Sequence, residues 1–204
     1  MINETFHTLL NKYSDDARVI QKMWHEISVN YSAPQRHYHT LSHLENLITE
    51  LQFVSDKIFD WDTLLFAVFY HDLIYKSTSS KNEEESAEIA SRRLSEIGYP
   101  TSKITKCLDM IIATKGHSVS NDPDTNFFID ADLSILGKNW DAYSTYMKQI
   151  RKEFAVYPNL IYNPGRKKVL RHFLEMEKIF KTDHFSGKYE VQARQNILKE
   201  LELL

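Results

Sequence analysis

LLFAVFYHD, residues 64–72, is seven apolar residues that stop abruptly on His71 and Asp72. The helix this run belongs to, Trp61 to Tyr70, is apolar on every side, which places it at the centre of a bundle rather than on its surface. A buried element that ends on two titratable side chains carries a free-energy cost, unless other groups compensate them.

The rest of the chain is suited to surrounding such a helix. It has 204 residues, 42% apolar and 26% charged, which allows one sizeable core and makes two cramped. Only five glycines and five prolines occur, and they fall between periodic segments. Alternation with period two is almost absent. The expectation is an all-α fold, one domain over residues 1–204, with eight or nine helices. They are predicted from Glu4 to Ser28, Thr40 to Phe53, Trp61 to Tyr70 and Asn82 to Ile97. Others run from Ser102 to Thr114, Asp132 to Leu136, Trp140 to Ala155, Pro164 to Phe180 and Tyr189 to Leu203. Asn82 with Glu85 reads as a capping box, and Ser118 to Thr125 as a loop.

Composition also excludes some functions. A formal charge of −3 leaves no electrostatic footprint for a nucleic-acid duplex or an anionic membrane. Arg166, Lys167, Lys168 and Arg171 read as a solvated helix face. The single cysteine, Cys107, permits no intrachain disulfide and lies among Ile104, Leu108, Ile111 and Ile112 at helical spacing, as a buried thiol would. The N-terminal residues lack a signal-peptide pattern, and no apolar run approaches the ~20 residues of a membrane span. A cytoplasmic protein is expected.

What could compensate His71 and Asp72 lies elsewhere in the sequence. In RHYHTLSHLENL (36–47), His39 and His43 are four apart and would share a helix face. In FFIDADLSILG (127–137), Asp130 and Asp132 follow an apolar triplet. Three separate helices thus offer two imidazoles and two carboxylates. That donor set suits Mn, Fe, Zn, Ni or, less well, Mg, and leaves positions for water and substrate.

The spaced pattern of a histidine, His-Asp and a distant aspartate resembles the HD superfamily of metal-dependent phosphohydrolases. The phrases YHTLSHL, YHDLIY, NEEESAEIA, ATKGH, DADLSILG, IRKEFAVY and NPGRKKVL extend the likeness over most of the chain, to a small subgroup of uncharacterised bacterial HD proteins. The resemblance implies an all-helical fold, hydrolysis of a small, nucleotide-like phosphoester, and the metal ligands His43, His71, Asp72 and one of Asp130 and Asp132. It also resembles a local motif of cyclic-nucleotide phosphodiesterases, which implies His43 as ligand and His39 as the acid that protonates the leaving group. On a helix, residues two apart point about 200° from each other. Asp132 shares a face with Ile135 and Leu136 and is the expected ligand, with Asp130 the alternative, or else a helix cap. Arg36 and Lys115 are expected to offset developing charge, and Asp72 to orient the attacking water.

Secondary candidates are His117, for a second ion or a phosphate oxygen, Glu83, for a water, and Arg151, Glu153 and Arg166, for phosphate or structural ion pairs. His7, His25, His172 and His184 have no metal-like context. Two other functions fit the same residues: a non-catalytic nucleotide sensor, and a di-iron oxygenase that would recruit His37, His117 and Asp130. An alarmone hydrolase fits less well, because LIYKSTSSKNEEE (73–85) lacks the Glu-Asp pair such enzymes carry after His-Asp.

Overall fold

The computed structural model describes residues 2–204. Among them there are ten α-helices and no strand. In chain order these are α1 (Ile2–Leu10), α2 (Ala17–Tyr31), α3 (Leu41–Gln52), α4 (Trp61–Tyr70) and α5 (Asn82–Glu96). Then follow α6 (Thr101–Ala113), α7 (Pro123–Leu133), α8 (Trp140–Glu153), α9 (Asn159–Glu175) and α10 (Asp183–Leu203). Short 3₁₀ turns occupy Ser55–Lys57 and Ser134–Gly137. No helix in the described residues is long and apolar enough to cross a membrane.

α4 is central, as its composition requires. Every residue from Thr63 to Tyr70 is buried, and the helix packs on α3, α5, α6 and α7. Its start is held by Asp124, a fully buried carboxylate of α7. This side chain accepts N–H bonds from Phe59 and Asp60 at 2.8 and 2.9 Å and pairs with Lys106 of α6. Asp60 then caps α4 through the Thr63 N–H. Apolar side chains from Ile2 to Ile197 pack into one cluster around this helix.

Several expected boundaries move, each for a local reason. The first predicted helix is two: Asp16 caps α2 by accepting from the Arg18 N–H, and the chain turns between α1 and α2. His39 is not on a helix with His43; it lies in the turn before α3, where its backbone is held by a side chain described below. Asn82 does not cap α5. It is the first helical residue, and its amide bonds the N–H and C=O of Lys76, which closes the loop between α4 and α5. The loop predicted at Ser118 to Thr125 already contains a helix start: Asp122 caps through Thr125 and Pro123 takes the first position of α7. Pro164 lies inside α9 rather than at its start; the carbonyl it leaves without a partner belongs to Leu160, an exposed residue. α9 ends at Glu175 rather than Phe180, and α10 begins at Asp183 rather than Tyr189.

α10 packs tightly on the turn after α7. A Cβ at Gly137 would lie 2.4 Å from the Tyr189 Cβ and 2.7 Å from the Tyr189 carbonyl oxygen, so only glycine allows this approach. The approach fixes the end of α7, where Asp132 sits.

Candidate metal centre

His43 lies in the first turn of α3, His71 caps the C-terminus of α4, Asp72 follows it, and Asp132 is in the last turn of α7. The fold brings them together. His43, His71 and Asp132 each offer a ligand atom, all within 4.8 Å of one another. The two imidazole Nε2 atoms are 3.4 Å apart, and Asp132 Oδ1 is 3.2 Å from His43 Nε2 and 3.9 Å from His71 Nε2. Asp72 Oδ2 lies 3.1 Å from His71 Nε2 and 4.0 Å from His43 Nε2, beside that three-residue group rather than within it.

The donor chemistry fits a divalent cation. Both imidazoles are buried, at 2% and 1% exposure, and their Nε2 atoms are 3.4 Å apart, so a divalent cation bound between them would replace a proton on His71. His71 Nδ1 donates to the Val68 carbonyl at 2.9 Å, which turns Nε2 towards the cluster. Burial opposes charge on His71, but the adjacent Asp72 and then Asp132 outweigh it and lift the imidazole to about 9. Burial holds His43 below its ordinary value. Against their own burial, Asp132 is held far below the carboxylate range by His117 and His43, and Asp72 is lowered by His71 and His39. The field of the cluster therefore favours ionised carboxylates beside compensating positive charge.

Asp130 and Asp132 separate as helix geometry requires. Asp130 is wholly buried on the other side of α7. It accepts N–H bonds from Lys181 and Thr182 at 2.7 and 2.8 Å and the Thr182 hydroxyl at 2.7 Å. Asp130 is thus neither the alternative ligand nor a cap of its own helix; it ties down the chain entering α10. Burial keeps its carboxyl above the usual range in spite of those bonds. The larger di-iron set does not assemble either, since Asp130 is committed here and His37 is exposed.

His117 reaches the cluster from the turn after α6. Its Nε2 is 3.1 Å from Asp132 Oδ2, the oxygen that does not face His43. Its backbone is left-handed, with φ of 48°, the one such non-glycine residue described. That conformation costs energy and is often found where a side chain must be aimed.

His39 stands beside the cluster, with Nε2 3.8 Å from Asp72 Oδ2. Its partner is Glu153, the last residue of α8. Glu153 Oε2 accepts from His39 Nδ1 at 2.7 Å, while Oε1 accepts the N–H groups of His37, Tyr38 and His39 at 2.8, 2.7 and 3.0 Å. The ring itself is stacked on Tyr75, with centroids 4.1 Å apart. Burial acts against charge on His39, but Asp72 and Glu153 prevail and raise it. Burial opposes ionisation of Glu153 too, yet His39 and the backbone N–H groups bring it down to about 2. Sequence reasoning left Glu153 among generic ion-pair residues. One signal was present: an acidic side chain at a helix C-terminus opposes the helix dipole and needs a specific partner.

Other candidates do not face the cluster. Arg36 is buried behind it, donating to the carbonyls of His39 and Leu73 at 3.1 and 2.8 Å, with its guanidinium over the Tyr31 ring. It supports the His39 turn and does not project towards a substrate. The Lys115 ammonium is held by Glu84 and the Ser80 carbonyl, which connects α5 to the turn after α6. Arg151 binds the carbonyls of Phe154 and Tyr157. Arg166 pairs with Glu200 through two bonds, at 2.7 and 3.0 Å. Cys107 is buried and its thiol is pushed up by that burial, as a structural cysteine would be.

A cavity of about 480 Å³ opens over the cluster. His39, His71, Asp72, His117 and Asp132 form its floor, with Glu83 and Thr114 beside them; residues of α8, α9 and their connection form one wall. No protein-family model matches the chain, and no curated protein or solved structure matches it either.

Proposed function

We propose that the chain is a metal-dependent phosphohydrolase of the HD superfamily, acting on a small phosphoester such as a nucleotide. One observation carries the reading: three helices bring His43, His71 and Asp132 together, and His71 and Asp132, with Asp72 beside them, line a cavity. The residue types and their order in the chain are those that the resemblance implies. When bound there, a divalent cation supplies Lewis-acid polarisation of a phosphoryl oxygen and lowers the pKa of a water from about 15.7 towards about 7.

The chain's own residues then have definable parts. His43, His71, Asp72 and Asp132 hold the cation, and the Asp72 carboxylate is also placed to orient water. His117 fixes the rotation of the Asp132 carboxylate through its free oxygen. His39 faces the cavity with Nε2 while Glu153 holds Nδ1, so a proton at Nε2 is aimed at the departing ester oxygen. Water oxygen bonds to phosphorus, the ester P–O bond breaks, and the alcohol leaves with that proton. We place the activity in the cytoplasm, where the single buried thiol of Cys107 suits a reducing environment.

The test is a turnover screen of the full-length protein on generic phosphoesters and nucleotides with Mn, Mg, Ni or Fe. Metal-dependent release of phosphate or alcohol, abolished in His71→Ala while the helical signal persists, supports the reading. Turnover that is unaffected by chelation, or ligand binding without turnover under every metal, overturns it.

A further inference from the structure

The cavity over the cluster has two unlike halves, and its charge can be counted. The floor carries the carboxylates Asp72, Asp132 and Glu83 together with the imidazoles of His39, His71 and His117. Arg166 is the only Lys or Arg that lines the cavity, and Glu200 neutralises it with two hydrogen bonds, in a residue that is 9% exposed. The neighbouring cations have partners of their own: Lys115 lies between Glu84 and Glu83 at the edge of the floor, Arg36 binds backbone carbonyls, and Arg151 binds Asn159 and the carbonyls of the α8–α9 connection. Recognition of several linked phosphates uses freely presented Arg or Lys side chains. Among the described residues no unpaired Lys or Arg lines this cavity.

The wall is of the opposite kind. Ile150, Phe154, Tyr157, Ile161, Tyr162 and Val169 line it. Ile161 and Val169 are 58% and 46% exposed, so apolar surface remains open to solvent at the rim. A cavity of about 480 Å³ lies in the range that encloses a ring-sized organic molecule. Burying a flat or apolar group against such a wall is favourable, by roughly 25 cal/mol per Å² removed from water.

We infer that the site takes esters with a single phosphorus and a ring-bearing apolar or aromatic group, and discriminates against polyphosphates and against small polar phosphoesters. The inference rests on the hydrolase reading for its chemistry, which is the same attack of water on phosphorus. The phosphoryl group sits on the floor, and the ring lies against the α8–α9 wall.

The experiment compares kcat/KM of the Mn-loaded full-length protein on phenyl phosphate, a nucleoside 5′-monophosphate, glycerol phosphate and a nucleoside triphosphate. The first two are expected to exceed the last two by about tenfold or more, the scale on which an apolar pocket discriminates. Ile161→Asp is expected to lower the phenyl-to-glycerol ratio by about tenfold, because a charge then sits at the rim of the wall. Equal or faster turnover of the triphosphate, or of glycerol phosphate, overturns the inference and leaves the hydrolase reading intact. Absence of turnover on all four with Mn leaves the hydrolase reading to the wider screen of metals and phosphoesters and moves the inference to binding. A calorimetric comparison of phenylphosphonate and tripolyphosphate binding to the same Mn-loaded protein then decides the inference. Tighter phenylphosphonate binding upholds it, and tighter tripolyphosphate binding overturns it.

Discussion

Glu153 Oε2 accepts a hydrogen bond from His39 Nδ1 at 2.7 Å, and the other oxygen of the same carboxylate holds three successive backbone N–H groups, including that of His39 itself. One side chain from the end of α8 thus fixes both the ring and the backbone of the residue proposed as general acid. The raised affinity of His39 for its proton depends partly on this carboxylate. Glu153→Gln keeps the shape of the side chain, removes the charge and turns one of its two accepting oxygens into a donor. It is expected to lower kcat by roughly 10–100-fold and to move the alkaline limb of the pH–rate profile to lower pH. A uniform fall in kcat with an unmoved limb would show that Glu153 acts on folding alone.

The same carboxylate makes a prediction for acid stability. Its folded value, about 2, lies below its ordinary 4.5. Its stabilisation is therefore fully present above about 4.5 and is lost as pH falls through about 2. A shift of that size corresponds to roughly 3 kcal/mol, an upper figure because His39 shares the interaction. Denaturant melts of wild type and Glu153→Gln should differ most above pH 5 and converge towards pH 2. A difference that grows on acidification would contradict the assignment.

Asp130 and Asp132 give a paired test. Asp130→Ala leaves the N–H groups of Lys181 and Thr182 without their buried acceptor and should cost about 1–3 kcal/mol of stability, with metal uptake retained. Asp132→Ala should remove metal uptake. Urea titration and metal analysis of the two proteins would separate the roles, and loss of metal in a folded Asp130→Ala would reverse the assignment.

Gly137→Ala tests the packing of α10. The added methyl meets the Tyr189 backbone and Cβ, neither of which is the far end of a flexible side chain. A loss of about 1–3 kcal/mol is expected in thermal or urea unfolding. A neutral result would mean that α10 can withdraw from the turn at no cost.

The all-helical architecture and the central place of α4 were legible because an apolar run with no polar face admits one location. The approach of His43, His71 and Asp132 was legible because imidazoles and carboxylates at the ends of apolar segments need a common partner; Asp72 follows His71 directly in the chain but lies beside that group. Helix ends were less so. The break before α2 rests on a single cap, Asp16, within a pattern that otherwise reads as continuous. The start of α7 was signalled by Asp122-Pro123, but the polar residues around it resemble a loop. The roles of Asp130 and Glu153 depend on partners 51 and 114 residues away, and no local pattern encodes such pairings. The contacts of Arg36 and Lys115 are not legible for the converse reason: a cation near a motif in sequence says nothing about which carbonyl or carboxylate claims it first.

The most direct test of the metal centre is elemental analysis after equilibration with excess Mn(II) and desalting, on wild type and on His43→Ala, His71→Ala and Asp132→Ala, with circular dichroism to verify folding. The centre predicts about one divalent ion per wild-type chain and little or none in the three variants, each still helical. A wild-type chain that retains no metal, or folded variants that retain as much as wild type, would contradict it.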